Sequence, residues 1–213
     1  MFARAEAFWF ALFKLLQEFA EQFTQLFSPS SKNLSSIWEH RVGVKIRKTR
    51  GVRWHSLFWN VNVAILNLSE LRTIVEEFQT KKEAKKIQSL LSENDLIENM
   101  ISTSLSGQFL QYKWEDLTRK QTKADLLNQL AELKSFCAEV NETEDFVSLY
   151  KPCYEKESSF SKINELVNSV SNLSTFRTKH IRNFEKMIDY VVKNIQPDSS
   201  ETNLEKSIGN LFN

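Results

Sequence analysis

The chain has only four glycines and three prolines in 213 residues, too few to close the many tight turns that a sandwich or barrel requires. Leu, Glu, Lys, Gln, Asn and Phe are plentiful instead, so the sequence reads as long helices. A chain of this length buries a core without disulfide or metal staples. The expected fold class is therefore all-α: a helical bundle of about five or six helices with a protruding or docking amphipathic helix at its N-terminus. The expected boundaries are an apolar leading helix over 1–28, a bundle over 32–197 and a tail over 198–213 carrying a short amphipathic turn at Leu204, Ile208 and Leu211.

Several classes of chemistry are excluded by what the sequence lacks. A net charge of +1 sets up no global field for nucleic acid or membrane, so any such contact must come from local clustering. Two cysteines, Cys137 and Cys153, make no disulfide framework and fit a reducing, cytoplasmic setting. The three histidines, His40, His55 and His180, are scattered, and no CxxC or HExxH spacing occurs, so no metal is expected. Gly43 and Gly51 lack the strand-to-helix setting of a phosphate loop, and no cofactor is expected.

The aromatic content is high, sixteen phenylalanines and five tryptophans, and much of it falls in the first third. From Ala3 to Phe27 the pattern is one amphipathic helix, with Lys14, Gln17, Glu18, Glu21, Gln22 and Gln25 on its polar side. Its opening is different, because residues 8–13 are apolar on every side. Lys14, Glu18 and Glu21 cut the run well short of the roughly 20 apolar residues that a bilayer span needs. One-sided core packing would not require Phe10 and Ala11 to be apolar. The excess points to a membrane surface or an oligomer contact made by Phe8, Trp9, Phe10, Leu12, Phe13 and Leu16, or to a protein partner.

A basic stretch follows. No acidic residue occurs between Glu39 and Glu70, while Arg41, Lys45, Arg47, Lys48, Arg50 and Arg53 do. Trp38, Trp54 and Trp59 are interleaved, a combination that suits anionic headgroups or a nucleic-acid backbone with stacked bases, as well as a plain solvated surface. Val42, Val44 and Ile46 alternate with other residues, which predicts a short extended piece here.

Further helices are expected over about 51–80, from Leu96 towards Leu117, over 123–140 and over 158–195, the last as one helix or a pair. A short helix is expected over 142–150, ended by Lys151-Pro152. Late in the chain, Arg177, His180 and Phe184 share one side of a helix. A histidine beside an arginine is a workable pair for RNA cleavage, the imidazole moving the 2′-hydroxyl proton and the guanidinium steadying the phosphorane. The competing reading is a core histidine set between Phe176 and Phe184.

The segment Arg177-x-Lys179-His180-Ile181-x-x-Phe184 resembles the Arg-x-Lys-x-Ile-Ala-His element of HEPN proteins (higher eukaryotes and prokaryotes nucleotide-binding), in particular abortive-infection and CRISPR-accessory relatives. Asn183 stands where the family histidine falls, and Arg182 replaces the small residue before it. The resemblance implies a dimerising helical bundle in a defence or toxin system that acts by binding. If cleavage is retained, it implies a metal-independent ribonuclease with Arg177 and His180 as its catalytic pair. The expected partners are an anionic membrane surface on the cytoplasmic side, a second copy of the chain or another protein, with RNA as a further candidate. A scaffold docking through its first helix is the third reading.

Overall fold

The structure, a computed structural model, describes residues 14–28, 32–47, 54–118 and 123–195. Among them the chain forms nine α-helices and one 3-10 helix and no strand. In order these are α1 (Lys14–Leu26), α2 (Lys32–Val42), α3 (Trp54–Leu66), α4 (Leu68–Glu77), α5 (Lys82–Leu90), α6 (Asn94–Thr118), α7 (Lys123–Glu142), the 3-10 helix (Phe146–Cys153), α8 (Glu157–Asn168) and α9 (Leu173–Ile195). The all-α class expected from the sequence is what the described residues show. They fall into two compact units, one within Phe10–Ser104 and one within Leu105–Asn213.

In the first unit α1 packs on α3 and α5, α2 on α4, and α4 on both α3 and α5. Leu16, Phe19, Ala20, Phe23, Leu26 and Phe27 recur at helical spacing and are all buried. Phe23 is the centre of an aromatic cluster, with ring centroids 5.6 Å from Phe19, 5.1 Å from Phe27 and 5.3 Å edge-on from Trp38. The polar side of α1 is solvated, and Glu18 meets Lys86 of α5 at 2.8 Å.

Helix α3 is enclosed along most of its length. Phe58 and every residue from Asn60 to Ile65 are buried, the two asparagines included. The apolar period continues from α3 into α4, which is why the sequence reads as one helix over this region. The break is made by Asn67, whose side-chain NH2 donates to the carbonyl of Val63 at 2.8 Å while its backbone leaves helical geometry at φ −127°. A short polar side chain that satisfies the last turn of one helix competes with continuing it.

In the second unit α7 packs on α9, and the 3-10 helix packs on α7 and α8. The expected helix over 142–150 is replaced by this 3-10 element, which starts later and carries Pro152 within it. The stretch 158–195 is a pair. Ser169 ends α8, and Asn172 starts α9 by accepting the Thr175 N–H on its side-chain oxygen at 2.9 Å. These joints explain why the described residues hold more helices than the sequence suggests. Residues 204–211, where a tail turn is expected, lie outside the described residues.

Candidate functional site

The leading apolar residues come first. Phe8, Trp9, Phe10, Leu12 and Phe13 lie outside the described residues, and Leu16, at 2% exposure, is part of the core of its unit. No described helix is long and apolar enough to cross a membrane.

The basic stretch is built on a helix end and an extended strap. Gly43 closes α2 with φ +74°, its N–H bonded to the Glu39 carbonyl at 2.9 Å, a left-handed conformation that residues with a Cβ rarely adopt. The chain then leaves as a non-helical segment over 44–47, where the sequence predicts an extended piece. Asn60 of α3 holds it. Its Oδ1 accepts the Arg47 N–H at 3.0 Å, and its Nδ2 donates to the Arg47 carbonyl at 2.9 Å and to Thr24 Oγ1 at 3.3 Å. The Trp59 indole N–H reaches the Lys45 carbonyl at 3.5 Å, and the Arg47 guanidinium lies 4.0 Å from the centre of the Trp59 ring. Arg41 forms a two-pronged ion pair with Glu77, at 3.0 and 2.9 Å, and Lys45 meets Glu39 at 3.3 Å. Lys48, Arg50 and Arg53 lie outside the described residues. Of the interleaved tryptophans, Trp38 is in the core and Trp59 is half-buried under Arg47.

Arg177 and His180 share a helix and part company in space. His180 is 0% exposed, its ring parallel to Phe176 at 6.0 Å and flanked by Phe146 and Phe184, both at 6.3 Å. Its Nε2 is 2.7 Å from the hydroxyl of Tyr150 in the 3-10 helix. Among the described residues Tyr150 has no other hydrogen bond, and in the tautomer that leaves Nε2 bare the tyrosine O–H donates to it. Burial pushes the Tyr150 hydroxyl well above its usual range, with Cys137, Cys153 and Tyr154 adding to the effect. Burial also lowers His180 to about 4, so the imidazole is neutral.

Arg177, part-buried beside the same Phe146 ring, has different partners. Its two guanidinium nitrogens donate to the carbonyls of Asn141, at 3.2 Å, and Glu144, at 2.6 Å, and the group lies 4.9 Å from the centre of the Phe146 ring. A cation on the last carbonyls of a helix is a favourable C-terminal cap. Chemically, Arg177 fastens α9 to the end of α7, and His180 satisfies a buried tyrosine. Cys137 and Cys153 are buried near the same cluster and not joined in a disulfide, and burial first, then Glu185, pushes the Cys137 thiol up to about 12.

The Asn60 clamp is the feature that reading the sequence missed. A signal was present, since Asn60 and Asn62 are polar residues inside the apolar run from Leu57 to Leu66. Comparison of the chain with known protein families, with curated proteins and with solved structures gave no match.

Proposed function

We propose that the chain acts by binding, using its leading apolar residues to join an apolar counterpart, in the first place a second copy of itself. The observation that carries this reading is that the later part of the same amphipathic pattern supplies the one buried face of α1. Leu16, Phe19, Ala20, Phe23, Leu26 and Phe27 are each no more than 2% exposed. An apolar run before them, oily on every side, exceeds what one buried face can take.

A protein contact is favoured over an anionic membrane because Arg41, at the start of the basic stretch, is held by a two-pronged ion pair to Glu77. Glu21, on the polar side of α1, also sets negative charge close in sequence to the apolar segment, against any anionic surface. The HEPN-like segment adds a setting, an accessory of a defence or toxin system. Binding is favoured over cleavage there by the enclosure of His180 and the engagement of Arg177 with backbone carbonyls.

Sedimentation velocity over a concentration series tests the proposal. The full chain should assemble, and a Phe8→Glu/Trp9→Glu/Phe13→Glu variant should sediment as a monomer with unchanged helix content. A variant that assembles like the parent defeats the reading. A monomeric parent that co-sediments with phosphatidylglycerol vesicles, through the same three residues, would transfer the segment to a membrane.

A further inference from the structure

The strap over 44–47 has two edges, and only one of them is in use. In an extended chain the N–H and C=O of one residue point to the same side, and those of the next residue to the opposite side. The Arg47 N–H and C=O are both held by Asn60, and the Lys45 C=O faces the Trp59 indole, so one edge lies against α3. The groups of Val44 and Ile46 belong to the other edge, and among the described residues neither has a backbone hydrogen bond. Both residues are partly exposed. A non-helical segment whose Lys45 and Arg47 backbone groups are tied to α3, and whose Val44 and Ile46 groups have no described partner, is a template for a further strand, and the clamp meets part of its ordering cost.

The charges around this edge select the occupant. Lys45 and Arg47 are both exposed. A second copy of this strap would set lysine and arginine against lysine and arginine, a cross-strand arrangement that is repulsive. A strand with acidic residues at alternate positions reverses that sign. Lys45, whose side chain is 79% exposed, is held to Glu39 only by a surface ion pair, which exchanges readily for another carboxylate.

We infer that the outer edge of residues 44–47, carrying the free backbone groups of Val44 and Ile46, binds an extended acidic peptide as an added strand. The backbone supplies the pairing, and Lys45 and Arg47 supply the preference for acid. The site shares no residue with the leading apolar segment, so a Phe8→Glu/Trp9→Glu/Phe13→Glu variant should retain it.

The test uses the full chain and a labelled acetyl-Glu-Val-Glu-Val-Glu-Val-amide peptide, followed by fluorescence anisotropy. Three comparisons accompany it: the same peptide N-methylated at two consecutive central amides, which blocks both its edges; a Lys-Val peptide of equal length; and the protein variant Ile46→Pro, which removes one outer-edge N–H. The expected result is saturable binding of the acidic peptide, weakened at least tenfold in each comparison. Absence of binding by the acidic peptide overturns the inference. Binding of the methylated or Lys-Val peptide within twofold of the parent also overturns it, since the contact would then owe nothing to backbone pairing or to charge. If Ile46→Pro does not fold, the two peptide comparisons still decide. Self-association of the peptide-free chain that Ile46→Pro abolishes would place a second copy on this edge and reject the acidic peptide.

Discussion

A hydroxyl buried without a partner among the described residues, as at Thr103 Oγ1, has given up its water hydrogen bonds and gained none from them in return. Thr103→Val removes the orphaned group at nearly constant shape and should stabilise the chain by about 1 kcal/mol in urea unfolding. An unchanged or lowered midpoint would mean that the hydroxyl does find a partner in solution. His180 is the opposite case, a polar ring in a dry interior whose Nε2 has a hydrogen-bond partner. Its folded value of about 4 lies below the ordinary 6.5 of an unfolded chain, so between those values the unfolded state takes up a proton that the folded state refuses. Its contribution is therefore fully present above pH 6.5, declines as the pH falls towards 4 and changes no further below that. The loss across the window is about 3 kcal/mol. His180→Gln, which still offers Tyr150 an acceptor, should be less stable at pH 7 and should lose less on acidification. Urea titrations at pH 7, 5.5 and 4 measure the difference, and equal slopes in parent and variant would assign the acid loss to carboxylates.

At the scale of the element, α1 separates what packing contributes from what surface charge contributes. Phe23 is 0% exposed and touches three aromatic rings, so Phe23→Ala should cost about 3–5 kcal/mol. On the solvated side of the same helix the pair between Glu18 and Lys86 is part-exposed, and Lys86→Ala should cost no more than about 1 kcal/mol. Thermal unfolding of the two variants side by side checks the ratio, and similar losses would mean that the ion pair is far better shielded than its exposure indicates. The inward face of α1 was readable from spacing because apolar residues at 16, 19, 20, 23, 26 and 27 can share one side of a helix. The joint at Asn67 was not readable, since Leu57, Val61, Ile65, Leu68, Leu71 and Val75 keep a single period across it. A break made by one side-chain bond to a backbone carbonyl leaves no trace in that period.

At the scale of the whole molecule, scarcity of glycine and proline was enough to predict an all-α chain, because helices need few special backbone conformations. The site was less legible. Spacing put Arg177 and His180 on one side of a helix, but their roles are set by Tyr150, Asn141 and Glu144, about 30 to 36 positions earlier. No local pattern announces which distant element a helix will meet. The same burial gives a readout of cooperative opening in the second unit. Cys137 and Cys153 are both buried thiols, and the Cys137 thiol is held protonated, so alkylation in the native state should be at least about 100-fold slower than in urea. Mass spectrometry of iodoacetamide-treated protein checks this, and rapid native labelling of both thiols would show that the unit opens far more often than its packing implies.

The two buried asparagines of α3 have a consequence for how many ways the first unit can assemble. Asn60 is tied to Arg47 and Thr24, and Asn62 accepts the Ser104 hydroxyl at 2.6 Å. An apolar helix in an apolar socket can slide by a turn or rotate at small cost, because one oily contact replaces another. Here any such shift strands two amides in a dry environment at once, so near-native misalignments are penalised far more than the intended arrangement is rewarded. The pair works as a key with two teeth, one cut for the chain before α3 and one for the helix after it.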